Sequence, residues 1–447
     1  MAASGSQDVT YRKVWAVAWP IIIANSSTPL LGLVDTAIIG HIGAAAPLGG
    51  IALGTLIFNF LYWGFGFLRM GTTGFTAQAL GAGEELEIKA CLARAVIIAL
   101  LFGLIIVFLR QPIAALAFTL LKGSAQVEAL GRAYFNIRIW SAPATLLHIV
   151  FIGWFIGLQR TRWSLVLLLW LNSVNIIADI VFVVGMGWGV EGVAMGTLAA
   201  EISTVCLGAL MVYQQMRRRT PVHTPLTRAR LMDSAALKRL LSVNGDIFIR
   251  TLCLFVAFAW FTAKGAEMGD TILAANFVLF QFVTFAAFFL DGFAFSAEAL
   301  VGNAIGAHSA AVLKNTVRLS THLALGAAFL ISLSFAVFGG LVIDALTNVE
   351  EVRAQAMRFL PWAAALPVLS VWCFQFDGIF MGATRTADMR NMMLLSLGIY
   401  IAAWAVLSPL FGNHGLWAAL SIFFAARGLS LGLLYPKLAA SMSAAHP

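Results

Sequence analysis

Two carboxylates stand where carboxylates are costly. Asp35 lies in LLGLVDTAIIG (residues 30–40) and Asp179 in NSVNIIADIVFVV (172–184), each flanked by apolar residues. An ionised side chain at membrane depth costs several kcal/mol, so an acid kept there points to an ion pathway or a proton relay. Asn175 precedes Asp179 by four residues and shares its helix face, and Thr197 closes GVAMGT (192–197) on the next apolar segment. Two carboxylates, an amide and a hydroxyl could hold a proton, or a hard cation such as Na⁺ through oxygen. Asn175 could instead be structural, and a helix threonine such as Thr197 often bonds back to its own backbone. Other chemistries lack their residues. Cys91, Cys206, Cys253 and Cys373 have no metal or redox spacing and read as small buried residues. The seven histidines form no H-E-x-x-H motif, and there is no phosphate-binding G-x-x-x-x-G-K-[ST] loop for an ATP-driven motor. The sequence thus predicts no catalytic residues, no metal site beyond a Na⁺ role for Asp35, Asn175, Asp179 and Thr197, and no cofactor other than H⁺ or Na⁺ as coupling ion.

Such a cluster needs a membrane around it. The chain is 61% hydrophobic and 11% charged, with mean hydropathy +0.91, where soluble domains carry about 25% charged residues. Twelve apolar segments can be drawn at 14–39, 47–78, 91–110, 129–158, 163–184, 191–214, 241–263, 271–301, 311–338, 355–381, 390–410 and 415–436. Each has the roughly 20 residues that cross a bilayer as a helix, and the strict alternation of a β-barrel is missing. The fold class is therefore an all-α polytopic membrane protein. The first segment is too long and polar for a signal peptide, and Pro20 and Pro29 are its bending points. Lys and Arg gather on segments that are cytoplasmic if the N-terminus is inside, such as Arg217, Arg218, Arg219, Arg228 and Arg230. Both termini are then cytoplasmic in a cell inner (plasma) membrane. The net charge of +8 is explained by this topology, without a nucleic-acid partner.

The basic stretch 214–240 divides the chain into an N-terminal six-helix lobe (1–213) and a C-terminal six-helix lobe (241–447). The lobes repeat one another: TAQALGAG (76–83) matches VGNAIGAH (301–308), GLQRTR (157–162) matches GATRTA (382–387), and Pro143 matches Pro367. Even numbers of spans give the copies one orientation, as in a two-lobed transporter with a central cleft. In this register Asp35 corresponds to Trp260 and Asp179 to Trp404, so an acidic site belongs to the N-terminal lobe alone. Counted from the outer span ends, Asp35 and Asp179 share a depth of about 7 Å. A structural ion pair with arginine is disfavoured because the outer half of this lobe is read as holding no Lys or Arg. Arg69, Asp246, Arg250, Asp291, Glu298, Asp377 and Arg427 fall in inner span halves and read as an ion-pair lattice closing the cytoplasmic side, with Asp246 and Arg250 facing each other across one helical turn. Glu84, Glu85 and Glu87 read as a solvated turn.

PIIIANSSTPLLGLVDTAIIGHIG, FLRMGTTGFTAQALGAG, NIIAD, GVAMGT and DGIFMGATRTADMRN together resemble the multidrug and toxic compound extrusion (MATE) family, in its DNA-damage-inducible F (DinF) branch, over nearly all of the chain. The resemblance implies a twelve-helix secondary antiporter, no enzyme, that exports small organic cationic or amphipathic compounds against an inward H⁺ or Na⁺ gradient. By matching motif it places the coupling site on Asp35, Asn175, Asp179 and Thr197, the helix-one hinge at Pro20, and a tyrosine contact of the substrate cleft at Tyr134. The helix-seven glutamate of other branches has no counterpart in FIRTLCLFVAFAWF, so no C-lobe coupling site is expected. The partners implied are organic substrates and the lipid bilayer, with the protein a monomer.

A mechanism follows from electrostatics. Desolvation disfavours a charged carboxylate, and a second carboxylate nearby disfavours it further. Asp35 and Asp179 would take protons from outside, lose their attraction for a cationic substrate and release it, while helix one bends at Pro20; ion and substrate bias one two-state equilibrium from opposite sides. H⁺ is expected over Na⁺, which wants about five or six oxygens. A lipid-linked precursor flippase is the alternative, though it would call for a large cationic cleft. An intramembrane aspartate enzyme is the third class.

Overall fold

The computed structural model describes residues 9–40, 45–121, 123–219 and 226–444, with the side chains of 27–40, 45, 443 and 444 excepted. The described residues form helices joined by short connections, with no strand among them. Hydrocarbon offers no water to backbone groups, so each segment must satisfy its own. Among the described residues, eleven stretches from Ala46–Gly81 to Asn413–Met442 are long and apolar enough to cross a membrane. The helix α1 (Tyr11–Gly40) is the twelfth of this all-α polytopic protein; its backbone remains helical through Pro20.

In the first half, α2 (Ala45–Trp63) and α3 (Gly66–Gly81) form one span, followed by α4 (Glu85–Phe108) and α5 (Arg110–Leu120). Next, α6 (Ala125–Arg138) joins α7 (Ala142–Gly157) through a 3₁₀ turn, Ile139–Ser141. Pro143 falls in the first turn of α7, where a missing N–H costs nothing. Then come α8 (Thr161–Asp179) and α9 (Gly189–Arg219). After the short α10 (Arg228–Leu231), the second half runs α11 (Ser234–Ala266), α12 (Asp270–Gly306), α13 (Ala310–Leu346), α14 (Glu350–Gly382), α15 (Thr386–Phe411) and α16 (Asn413–Ala444).

The chain divides into two compact units: Ile23–Leu80 with Glu84–Leu240, and Met1–Ile22 with Gly81–Gly83 and Leu241–Pro447. The start of the chain thus groups with the C-terminal unit, unlike a lobe running unbroken from residue 1 to 213. The reason is local packing. Ala18 and Ile22, one turn apart, are buried against Leu290, Phe293 and Ala324. Ser296 Oγ donates to Val14 O at 3.2 Å, and Asn315 Nδ2 to Val9 O at 2.8 Å.

The repeat is visible as shared backbone chemistry. A Cβ on Gly153 or Gly157 would meet the carbonyls of Arg69 and Thr73, so α7 lies directly on α3. In the other unit Gly378 and Gly382 would meet the carbonyls of Ala294 and Glu298, laying α14 on α12 in the same register. Helix–helix packing in membranes relies on such small residues. Both helices also end alike. Gln159 and Thr384 take positive φ (58° and 53°), and the next amide closes on Phe155 O and Phe380 O at 2.8 and 2.9 Å, a left-handed C-terminal cap.

Three expectations change. The acidic run at the start of α4 is not a free solvated turn: Glu85 pairs with Arg219 at 2.9 Å, and Glu87 with Arg94 at 2.6 Å. Arg94 Nη2 also donates to Arg230 O at 2.6 Å, so the basic linker docks on α4. That linker is itself largely helical, α9 reaching Arg219 and α11 starting at Ser234, where Asp233 Oδ1 accepts from Ala235 N at 2.9 Å. Cys206 is exposed, while Cys91, Cys253 and Cys373 are buried as expected. Lastly, Asp246 and Arg250 do not pair with each other; both reach across to other helices.

Candidate ion-coupling site

Asp179 is the last residue of α8, and a π-helical stretch, Ile180–Gly185, carries the chain onward. Such wide turns are uncommon inside helices and recur at functional sites. Asp179 is 0% exposed. Across from it α9 carries Gly196, where a Cβ would fall on Asp179 Oδ1. One turn earlier Gly192 leaves the same kind of space for Val183 and Phe182. Gly196 leaves the space in which the carboxylate lies against the backbone of α9, and Gly192 lets the π-helical stretch approach one turn away. Beside the threonine of GVAMGT, its second glycine matters to the packing, because the absence of a side chain at Gly196 leaves room for the acid.

Asn175, also buried, donates through Nδ2 to Thr197 Oγ1 at 3.3 Å, and Thr197 Oγ1 donates to Val193 O at 3.1 Å. Both readings of Thr197 therefore hold together: it bonds back to its helix and receives the amide. Asn175 Oδ1 is buried without a hydrogen-bond partner among the described residues, leaving an acceptor one turn from Asp179. Three of the four expected coupling residues thus occupy adjoining helix faces. The fourth, Asp35, lies on α1 outside the residues whose side chains are described. Among the described residues, no group of three or more His, Cys, Asp or Glu could hold a metal ion.

Tyr134 is 2% exposed. Its hydroxyl accepts from Arg138 Nη1 at 2.7 Å and stands 3.5 Å from Thr55 Oγ1, while the guanidinium lies 4.7 Å from the Phe58 ring centre. Arg138 corrects the reading that the outer half of this lobe holds no basic residue. Its Nε is shut off from solvent, and Tyr62 and Glu201 lie within its electrostatic reach. Glu201, buried on α9, faces His148 of α7 with Oε2 3.7 Å from Nδ1. This cluster could not be read from the sequence because it draws its residues from four helices. The available signal was a charge nine residues into a span.

At the positions matched by the repeat, the other unit holds aromatic rings. Trp260 and Trp404 meet edge to face, centroids 5.0 Å apart, with Lys264 Nζ 5.1 and 4.9 Å from them. Residues that correspond to Asp35 and Asp179 thus come together there, as π-faces satisfied by a resident cation. The inner-half charges of this unit pair across helices. Asp377 accepts from Arg250 and from Arg427, the latter at 2.7 Å. Asp246 accepts from Arg390 at 2.5 Å and Thr386 at 3.0 Å. Asp291 lies within electrostatic reach of Arg427, and Glu298 is buried on α12. Arg69 stands in the other unit, on α3.

The MatE family model matches residues 20–208 and 247–405. The chain belongs to the MatE family. Each matched stretch contains one of the glycine pairs that lock the repeat. DNA damage-inducible protein F of Escherichia coli K12 is 39% identical over 426 residues, covering 95% of this chain and 92% of its own. The probable multidrug resistance protein NorM of Shewanella oneidensis is 22% identical over 420 residues, covering 92% and 91%. A crystal structure of MATE in the bent conformation shares the fold, with TM-score 0.88 at 16% identity, covering 97% and 96% of the two chains. This MatE protein is a multi-pass membrane transporter, and members of its family are transporters rather than enzymes.

Proposed function

We propose that the chain is a secondary multidrug efflux antiporter of an inner membrane, both termini cytoplasmic, exchanging organic cationic or amphipathic compounds for protons. The observation that carries this is the fully buried Asp179, seated on Gly196 beside the Asn175–Thr197 pair. A carboxylate shielded from water changes its interactions most when it gains a proton. Together with Asp35 it would alternate between an ionised state that attracts a cation and a neutral state that releases it. The buried environment favours H⁺ over Na⁺, since desolvation disfavours the ionised carboxylates that Na⁺ binding would need. The multidrug name of the NorM relative supports the substrate class. Pro20, within α1 and two residues before the units divide, is the hinge on this reading.

The test is substrate flux in proteoliposomes under an imposed pH gradient, with and without Na⁺. Flux that collapses with nigericin and ignores Na⁺ is the expected result. Flux that requires Na⁺ and survives nigericin would overturn proton coupling. Movement of a lipid-linked precursor, with no flux of organic cations, would overturn the substrate class.

A further inference from the structure

A second ionisable pair lies inside the N-terminal unit. His148 and Glu201 are both buried, on α7 and α9, with Nδ1 and Oε2 3.7 Å apart. That separation is too long for a hydrogen bond. His148 Nε2 and Glu201 Oε2 are buried without hydrogen-bond partners among the described residues. Buried ionisable groups left this way cost several kcal/mol, and within a membrane they mark ion or proton pathways. The neighbouring groups keep the pair from being a simple salt bridge. Arg138 of α6 lies within electrostatic reach of Glu201 and bonds Tyr134. Tyr62 of α2 stands near the hydroxyls of Ser141 and Thr145. Glu201 therefore has a guanidinium within electrostatic reach as well as the imidazole facing it.

The pair also connects to the first site. Glu201 is four residues after Thr197 on α9, hence on the same face and about 6 Å farther along the axis. Thr197 in turn receives Asn175, one turn from Asp179 on α8. A line of polar side chains therefore runs from Asp179 through Asn175 and Thr197 to Glu201 and His148.

We propose that His148 and Glu201 form a second proton-binding site of the N-terminal unit, joined along one face of α9 to the Asp179 cluster. Imidazole is the side chain whose charge ordinarily changes between pH 5 and 8. With a carboxylate beside it and a fixed guanidinium beyond, the pair gains or loses one proton. On the antiport reading above, that proton adds to those carried by the aspartates.

The decisive measurement needs no transport. Potentiometric titration of the purified full chain in detergent, wild type against the H148Q/E201Q double variant, should differ by about one bound proton per protein between pH 5 and 8. Superimposable titrations overturn the proposal. This result stands or falls whether or not the wild type exchanges substrate for protons. In proteoliposomes, E201Q and H148Q should each move the midpoint of the flux–pH profile by about half a unit or more, with substrate KM unchanged. Glu201→Asp keeps the charge and should restore the profile's shape; it also serves if the glutamine variants do not fold. Loss of stability with an unmoved profile in every folded variant would assign the pair a structural role and refute the site.

Discussion

Gly196→Ala is the sharpest test of how α8 and α9 make a site together. The added Cβ would land on Asp179 Oδ1, 3.3 Å from its Cγ and 3.4 Å from its backbone nitrogen. Rotating the carboxylate relieves only the first contact. The Cγ contact is also tighter than usual, so the side chain must give at its root as well, while the contact to the backbone nitrogen is at ordinary van der Waals distance. Overpacking of this kind costs about 1–3 kcal/mol. If that cost falls on the state in which Asp179 sits against α9, the coupling equilibrium moves by roughly 5- to 150-fold, at about 1.4 kcal/mol per factor of ten. The assay is initial flux in proteoliposomes against pH, with thermal stability in detergent alongside. Gly192→Ala is the internal control. Its Cβ meets Val183, the Phe182 carbonyl carbon and the Trp188 Cβ at 3.1–3.2 Å, so it should lower stability while leaving the pH profile in place. A Gly196→Ala protein with wild-type flux and an unmoved profile would refute the claim that this glycine seats the acid.

Further outcomes concern the aspartates and the packing of the C-terminal unit. Asp179→Asn and Asp35→Asn should each abolish gradient-driven efflux while the protein still inserts; normal transport by both would remove the coupling assignment. Asp377→Ala leaves two guanidinium groups, Arg250 and Arg427, without their shared acceptor. It should cost about 3–5 kcal/mol, read as early melting in detergent. A variant of normal stability that loses a single substrate would place Asp377 in the binding site instead. Gly382→Ala drives a Cβ into the Glu298 carbonyl and should block correct packing of α14 on α12. Gly245→Ala, with open space around it, should be neutral or stabilise by about 1 kcal/mol through helix propensity. Equal stabilities for these two glycine variants would show that the close helix approach is unimportant.

Much of this was legible in the residues alone. Twelve long apolar segments can only be membrane helices, because hydrocarbon forbids unpaired backbone and a helix satisfies itself locally. The internal repeat was equally readable: glycine and turn residues recur where the backbone needs them, at Gly157 and Gly382 and at Gln159 and Thr384. Asn175 and Asp179 could be placed on one face because four residues make about one turn. Partner choice across helices could not be read, since it depends on rotation and depth that no periodicity encodes. Asp246 and Arg250 satisfy the spacing rule for a pair, yet Arg390 and Asp377 take them. Glu84, Glu85 and Glu87 look like a solvated turn until the linker folds back on them. The meeting of Arg138, Tyr62, His148 and Glu201 was likewise decided only by the packing of α2, α6, α7 and α9. A buried charge takes whichever partner the tertiary structure brings within a few ångströms, and sequence distance has no part in that choice.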